Sequence, residues 1–119
     1  MILGLDVSTT RIGWAVIDKD QSLIDSGFYK TDKNKTLEAR AEDFRANVLE
    51  PLIVVHRVHE VRVEEPFSMF SGGKTTAKTM SSLQRFNGMI SLLVLQVFGN
   101  PPTMVGSRTA RARCGIKVP

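Results

Sequence analysis

The sequence is short of cysteine, histidine and, beyond its midpoint, of any acid. A single cysteine, Cys114, cannot close an internal disulfide, which suits a reducing compartment. It has no Cys or His neighbour at metal-ligand spacing, so it reads as an ordinary small side chain. The two histidines, His56 and His59, lack a third ligand spaced to join them, and a surface or C-cap role is expected. No run of about 18 uninterrupted apolar residues occurs, and no basic N-terminal segment leads into a long apolar one. Neither membrane spanning nor export is supported, and a cytoplasmic protein is expected. The Gly72-Gly73-Lys74-Thr75 stretch is not a phosphate-binding P-loop, because the first glycine is missing and no strand leads directly into it. With 119 residues the chain is expected to form one domain, 1–119, burying roughly two thirds of the surface it exposes when unfolded.

The missing acids polarise the chain. All twelve Asp and Glu lie in residues 1–65 beside nine Lys and Arg, a balance of −3, whereas residues 66–119 carry seven Lys and Arg and no acid, a balance of +7. A charge distribution of this kind fits a protein with a face for a polyanion, with nucleic acid the favoured partner over a merely solvated basic surface.

What is present is organised around Ile2–Asp18, ILGLDVSTTRIGWAVID. Two apolar runs flank a polar turn, and Asp6 falls among aliphatic neighbours where a half-buried strand would place it. An unpaired buried carboxylate costs several kcal/mol, so Asp6 calls for a cation, a hydrogen-bond network or a metal ion. Ser8, Thr9 and Thr10 add hydroxyls, and Gly13 lets the second strand pass close to whatever lies over the turn. The plainer alternative is that Asp6 caps its own turn.

Further along, Ile2–Val7, Ile12–Ile17 and Leu23–Lys30 read as a three-stranded antiparallel meander, with Trp14 as core and a turn at Asp18–Gln21. Thr36 is a candidate N-cap for a helix whose apolar stripe is Leu37, Ala41, Phe44, Val48, Leu52 and Val55, with a kink or boundary at Pro51. Val61–Glu65 follows as a short strand. Strand, helix, strand is the crossover that lays a parallel neighbour on an earlier strand; docked beside Ile2–Val7, it brings Glu64 close to Asp6. Two carboxylates so placed repel unless a divalent cation lies between them. The alternative is an exposed strand end.

Phe67–Lys78 mixes aromatics with cations, a composition suited to stacking on unpaired bases while holding phosphates. Ala77–Phe98 is the longest helical pattern, with Ala77, Met80, Leu83, Phe86, Ile90, Val94 and Val97 on one face, Arg85 on the other, and Gly88 expected to permit close packing against a neighbouring element. Met89–Phe98, apolar nearly all round, is either buried on both sides or half of a dimer interface. Thr103–Val105 is a candidate fifth strand, and Ser107 begins the basic segment SRTARARC with Arg108, Arg111 and Arg113.

Taken together, GLDVSTTRIGWAVID, VEEPF, GGKTTAK and SRTARARCGIKVP resemble the ribonuclease H-like superfamily, and within it the RuvC-type Holliday-junction resolvases, particularly the phage-type members. The resemblance implies an α/β fold: a mixed sheet, a three-stranded antiparallel meander plus two parallel strands, flanked by helices. It implies a magnesium-dependent (or manganese-dependent) endonuclease of branched DNA, working as a homodimer with two ions, in a bacterial host cytoplasm if phage-encoded. Asp6 and Glu64 match the first two metal-binding carboxylates. Phe67 falls where relatives present an aromatic to the junction, and Lys74, Lys78 and Arg85 fall along the path of the DNA backbone. Arg108, Arg111, Arg113 and Lys117 are further candidate DNA contacts, while Ser8, Thr9 and Glu65 are candidates to support the site. The family closes its site with one or two Asp on a final helix, and no acid follows Glu65. The expectation is therefore a chain lacking its C-terminal helix, or a natural variant, that binds metal weakly and cleaves poorly. A non-catalytic DNA-binding or dimerisation module on a decayed nuclease fold stands as the alternative, with a sugar-kinase or actin-like ATPase fragment behind it.

Overall fold

The structure, a computed structural model, describes residues 1–66 and 77–106. Five strands form one sheet in the order β3-β2-β1-β4-β5. β1 (Ile2–Val7), β2 (Arg11–Ile17) and β3 (Leu23–Lys30) make the expected meander, with β2 starting one residue early. β4 (Glu60–Glu64) lies parallel to β1, and β5 (Thr103–Val105) parallel to β4. The β2–β3 turn closes through Asp18, whose Oδ1 accepts from the Asp20 and Ser22 amides at 2.9 Å each.

Helix α1 (Leu37–Phe44) starts where Thr36 Oγ accepts from the Ala39 amide at 3.1 Å, a side-chain N-cap. It passes without a break into a π-helical turn, Arg45–Leu49, and then into α2 (Glu50–Val55). The Glu50 amide donates to the Arg45 carbonyl, five residues back. Pro51 is the second residue of α2, and the wider turn directly ahead of it takes up the irregularity that a proline imposes on a helix interior. That extra residue widens the stripe: Leu37, Val48 and Leu52 pack against the core as expected. Leu49 is fully buried and Ile53 packs against the core, whereas Val55, expected inside, is exposed.

Helix α3 (Ala77–Phe98) has the expected bounds. It buries Met80, Phe86, Ile90 and Val94, but Ala77 is exposed. Gly88 is exposed too, and a Cβ there would meet nothing within 4 Å, so no described element packs against it, contrary to expectation. Gly99, with φ +96°, ends the helix in the left-handed conformation.

The core gathers Leu3, Leu5 and Val7 of β1, Ile12 and Val16 of β2 and Val61 and Val63 of β4 against Ala41, Phe44, Leu49, Phe86, Ile90 and Val94 of the helical layer. The helices thus share one side of the sheet. Trp14 packs at its margin over Gly27, where a Cβ would come within 2.7 Å of the indole. Strand alternation turns Gly4, Asp6, Gly13, Phe28, Arg62 and Glu64 to the opposite side.

Candidate metal and nucleic-acid site

The β1–β4 register runs Ile2↔Glu60, Leu3↔Val61, Gly4↔Arg62 and Leu5↔Val63. One further step sets Asp6 beside Glu64, on neighbouring strands about 4.8 Å apart and away from the helices. The parallel docking of β4 beside β1, expected from the crossover, is borne out by the backbone. Glu64 is 9% exposed and Asp6 half-buried. The Asp6 side chain makes no hydrogen bond or ion pair with the described residues, so the capping alternative fails; Ser8 holds the turn instead. Its hydroxyl donates to the Arg11 carbonyl at 2.7 Å and accepts from the Arg11 amide at 3.0 Å.

Ser8 thereby holds the turn that follows Asp6 rather than touching the carboxylates. Thr9 contributes through its carbonyl, which accepts from Thr31 Oγ at 2.6 Å and from Arg40 Nη1 at 3.1 Å. Arg40 also donates to the carbonyls of Lys35 and Lys33, at 3.0 Å each, and so fastens the turn after Asp6 to the loop leading into α1. Glu65 is exposed, one residue past β4, and its amide donates to the Val105 carbonyl at 2.8 Å.

Sequence reasoning missed two residues that shape the site. Asn87, buried on α3, donates from Nδ2 to the Glu64 main-chain carbonyl at 3.2 Å and so braces the strand end that carries the acid. Its signal was a lone polar side chain inside an apolar helical stripe. Arg40 gave no local signal at all. Gly13 pairs with Asp6, and a Cβ there would lie 3.8 Å from the Asp6 Cβ, an ordinary contact; glycine keeps the space above the carboxylate clear without being sterically required.

Lys78 and Arg85 are exposed on α3. Phe67, Lys74, Ser107, Arg108, Arg111, Arg113, Cys114 and Lys117 lie outside the described residues. His56 caps α2 and its Nε2 stands 3.2 Å from Asp25 Oδ2, while His59 Nδ1 lies 2.8 Å from the Met1 amino nitrogen. Both histidines thus have the structural roles expected of them.

Two acids at the same end of neighbouring strands, the Asp6 side chain unpaired by the described residues, offer hard oxygen donors of the kind that magnesium or manganese prefers. Asp6 and Glu64 therefore fit a divalent cation. Among the described residues they have no third His, Cys, Asp or Glu grouped with them. Such an ion takes about six ligands, which leaves positions for water or phosphate oxygens.

This meander with a parallel crossover, carrying an acid on each central strand, defines a ribonuclease H-like fold. No protein-family model matches the chain. It is 35% identical over 102 residues to the crossover junction endodeoxyribonuclease RuvC of Aliarcobacter butzleri, covering 83% of this chain and 62% of that protein. In structure it is similar to Thermus thermophilus RuvC solved in complex with a Holliday junction substrate, with TM-score 0.70, 20% identity, and coverage of 98% of this chain and 80% of that one. In sequence, then, the chain is similar to RuvC resolvases, and in fold to a RuvC structure. It spans about three fifths of the length of the curated relatives it matches. A ROK family glucokinase from Streptomyces griseus shares the fold as well, with TM-score 0.62 and 17% identity over 98% of this chain and 38% of that one.

Proposed function

We propose that residues 1–119 form one ribonuclease H-like unit of a metal-dependent, structure-selective endonuclease that hydrolyses phosphodiester bonds in branched DNA, with the four-way junction named for its relatives as substrate. The observation that supports this reading is the parallel β1–β4 register through Leu5↔Val63, whose next step would set Asp6 beside Glu64 on the side of the sheet away from the helices.

Asp6 and Glu64 would hold magnesium or manganese, two ions in the full reading. When bound, such ions polarise the phosphate and acidify the attacking water. The remaining work belongs to the chain. Asn87 fixes the end of β4, Ser8 and Arg40 fix the turn beyond Asp6, and Gly13 clears the approach, so the acids are set before substrate arrives and little reorganisation is needed. Lys78 and Arg85 would meet the DNA backbone electrostatically. A second copy would dock through α3, where Leu92 is 53% and Leu95 43% exposed.

The test is cleavage of a labelled four-way junction with magnesium, with manganese or with chelator. Asp6→Asn and Glu64→Gln are each expected to lower the rate by about a hundredfold or more while still binding the junction. Wild-type cleavage by Asp6→Asn would refute the proposal. The absence of a third acid beside the pair among the described residues favours a second reading, a non-catalytic DNA-binding module. Junction binding without nicking under any metal would select it. Measurable ATP affinity in a titration would instead point to the kinase-like relatives of the fold.

A further inference from the structure

The side of the sheet that carries Asp6 also carries three residues the site does not use. Phe28 pairs with Gly13, and Gly13 pairs with Asp6, so the three form a row across β3, β2 and β1. Arg11 and Lys30, themselves paired, form the next row toward the β1–β2 turn. Phe28 is 61% exposed. The Arg11 guanidinium carbon lies 4.3 Å from the centroid of that ring, a cation–π contact.

Neither Arg11 nor Lys30 pairs with a carboxylate of the described residues, whereas Lys35 pairs with Asp43, Arg45 with Glu42 and Glu50, and Arg62 with Glu60. Two unpaired cations around an exposed ring stand out in a half of the chain whose balance is negative. In the row itself, Gly13 puts no side chain between the ring and the carboxylate. Two strand spacings separate Phe28 from Asp6, about 10 Å, or roughly the axial length of three phosphates on one DNA strand.

We propose that Arg11, Phe28 and Lys30 form an accessory DNA contact for the strand that reaches Asp6 and Glu64, an inference that rests on the endonuclease reading. The strand crosses Gly13; Arg11 and Lys30 meet its phosphates, and the Phe28 ring packs on a sugar or an unstacked base while holding the Arg11 guanidinium in place. Charge complementarity selects a polyanion here, and continuity with the carboxylate pair selects the DNA being cut.

The experiment is binding of the full chain to a fluorescent four-way junction in chelator across a range of salt. Arg11→Gln/Lys30→Gln is expected to bind at least about tenfold more weakly and to lower the slope of log affinity against log salt by about 2, one contact contributing about 0.9. Phe28→Ala should weaken binding by about fivefold and Phe28→Trp should preserve it. All three positions are exposed, and unchanged melting of each variant confirms that folding is intact. Should Arg11→Gln/Lys30→Gln keep wild-type affinity and slope while Lys78→Gln/Arg85→Gln loses both, the accessory contact is refuted and the endonuclease reading stands. Failure of the wild-type chain to bind the junction even at low salt refutes both.

Discussion

Asn87 shows how a single side chain can matter to chemistry it never touches. Its amide reaches the Glu64 carbonyl, not the carboxylate, so it positions the strand end. Asn87→Leu, nearly equal in volume, removes that bond at a cost of about 1 kcal/mol. The expected outcome is a melting temperature lower by several degrees and a smaller upward shift when magnesium is added, whereas a merely structural role would leave the magnesium increment unchanged. Asp6 and Glu64 were legible in the sequence because an acid among strand aliphatics is costly and therefore conspicuous. Asn87 was hidden by its apolar neighbours, and Arg40 by partners that include a carbonyl 31 residues away. Arg11 and Phe28 escaped notice because neither is unusual until the strand register sets them on the face of Asp6.

Among the elements, strands and helices were largely legible because their apolar periods are clean; β3, α3 and β5 have the bounds that the pattern gives. The π-helical turn was not, since a period of 3.6 residues carries no mark of one inserted residue. The sequence marks the irregularity at Pro51, but the stripe widens there: Leu49 is fully buried beside a packed Val48, and Val55 is turned out. Gly88 is the other discrepancy. Exposed in mid-helix with open space around its Cα, it shares a helical stripe with Leu92 and Leu95. Gly88→Ala is expected to stabilise the monomer by about 1 kcal/mol, read as a higher melting temperature at low protein concentration. If the proposed second copy docks on that stripe, the same substitution weakens self-association in sedimentation; undiminished association would place the dimer contact elsewhere.

For the whole molecule, the topology followed from one rule, the parallel crossover, and it sufficed to bring together residues 58 positions apart. What no local pattern disclosed is that, among the described residues, α1, α2 and α3 take the same side of the sheet. If the two acids on the other side repel each other, as like charges on neighbouring strands do, a reversal of stability is expected. In chelator, Asp6→Asn is expected to melt at a higher temperature than wild type, because one of two like charges is gone. Magnesium should then raise the wild-type melting temperature, by the equivalent of about 1.4 kcal/mol at ten times the dissociation constant, and should leave Asp6→Asn nearly unmoved. Scanning calorimetry with and without the ion checks the crossing, and parallel shifts in both proteins would show that the ion binds elsewhere. The one-sided helical layer also gives the molecule a usable back. A dye fixed through Val54 of α2, a residue 70% exposed on that layer, sits across the described sheet from Asp6, so fluorescence of the labelled protein can report DNA binding with no label beside the carboxylates.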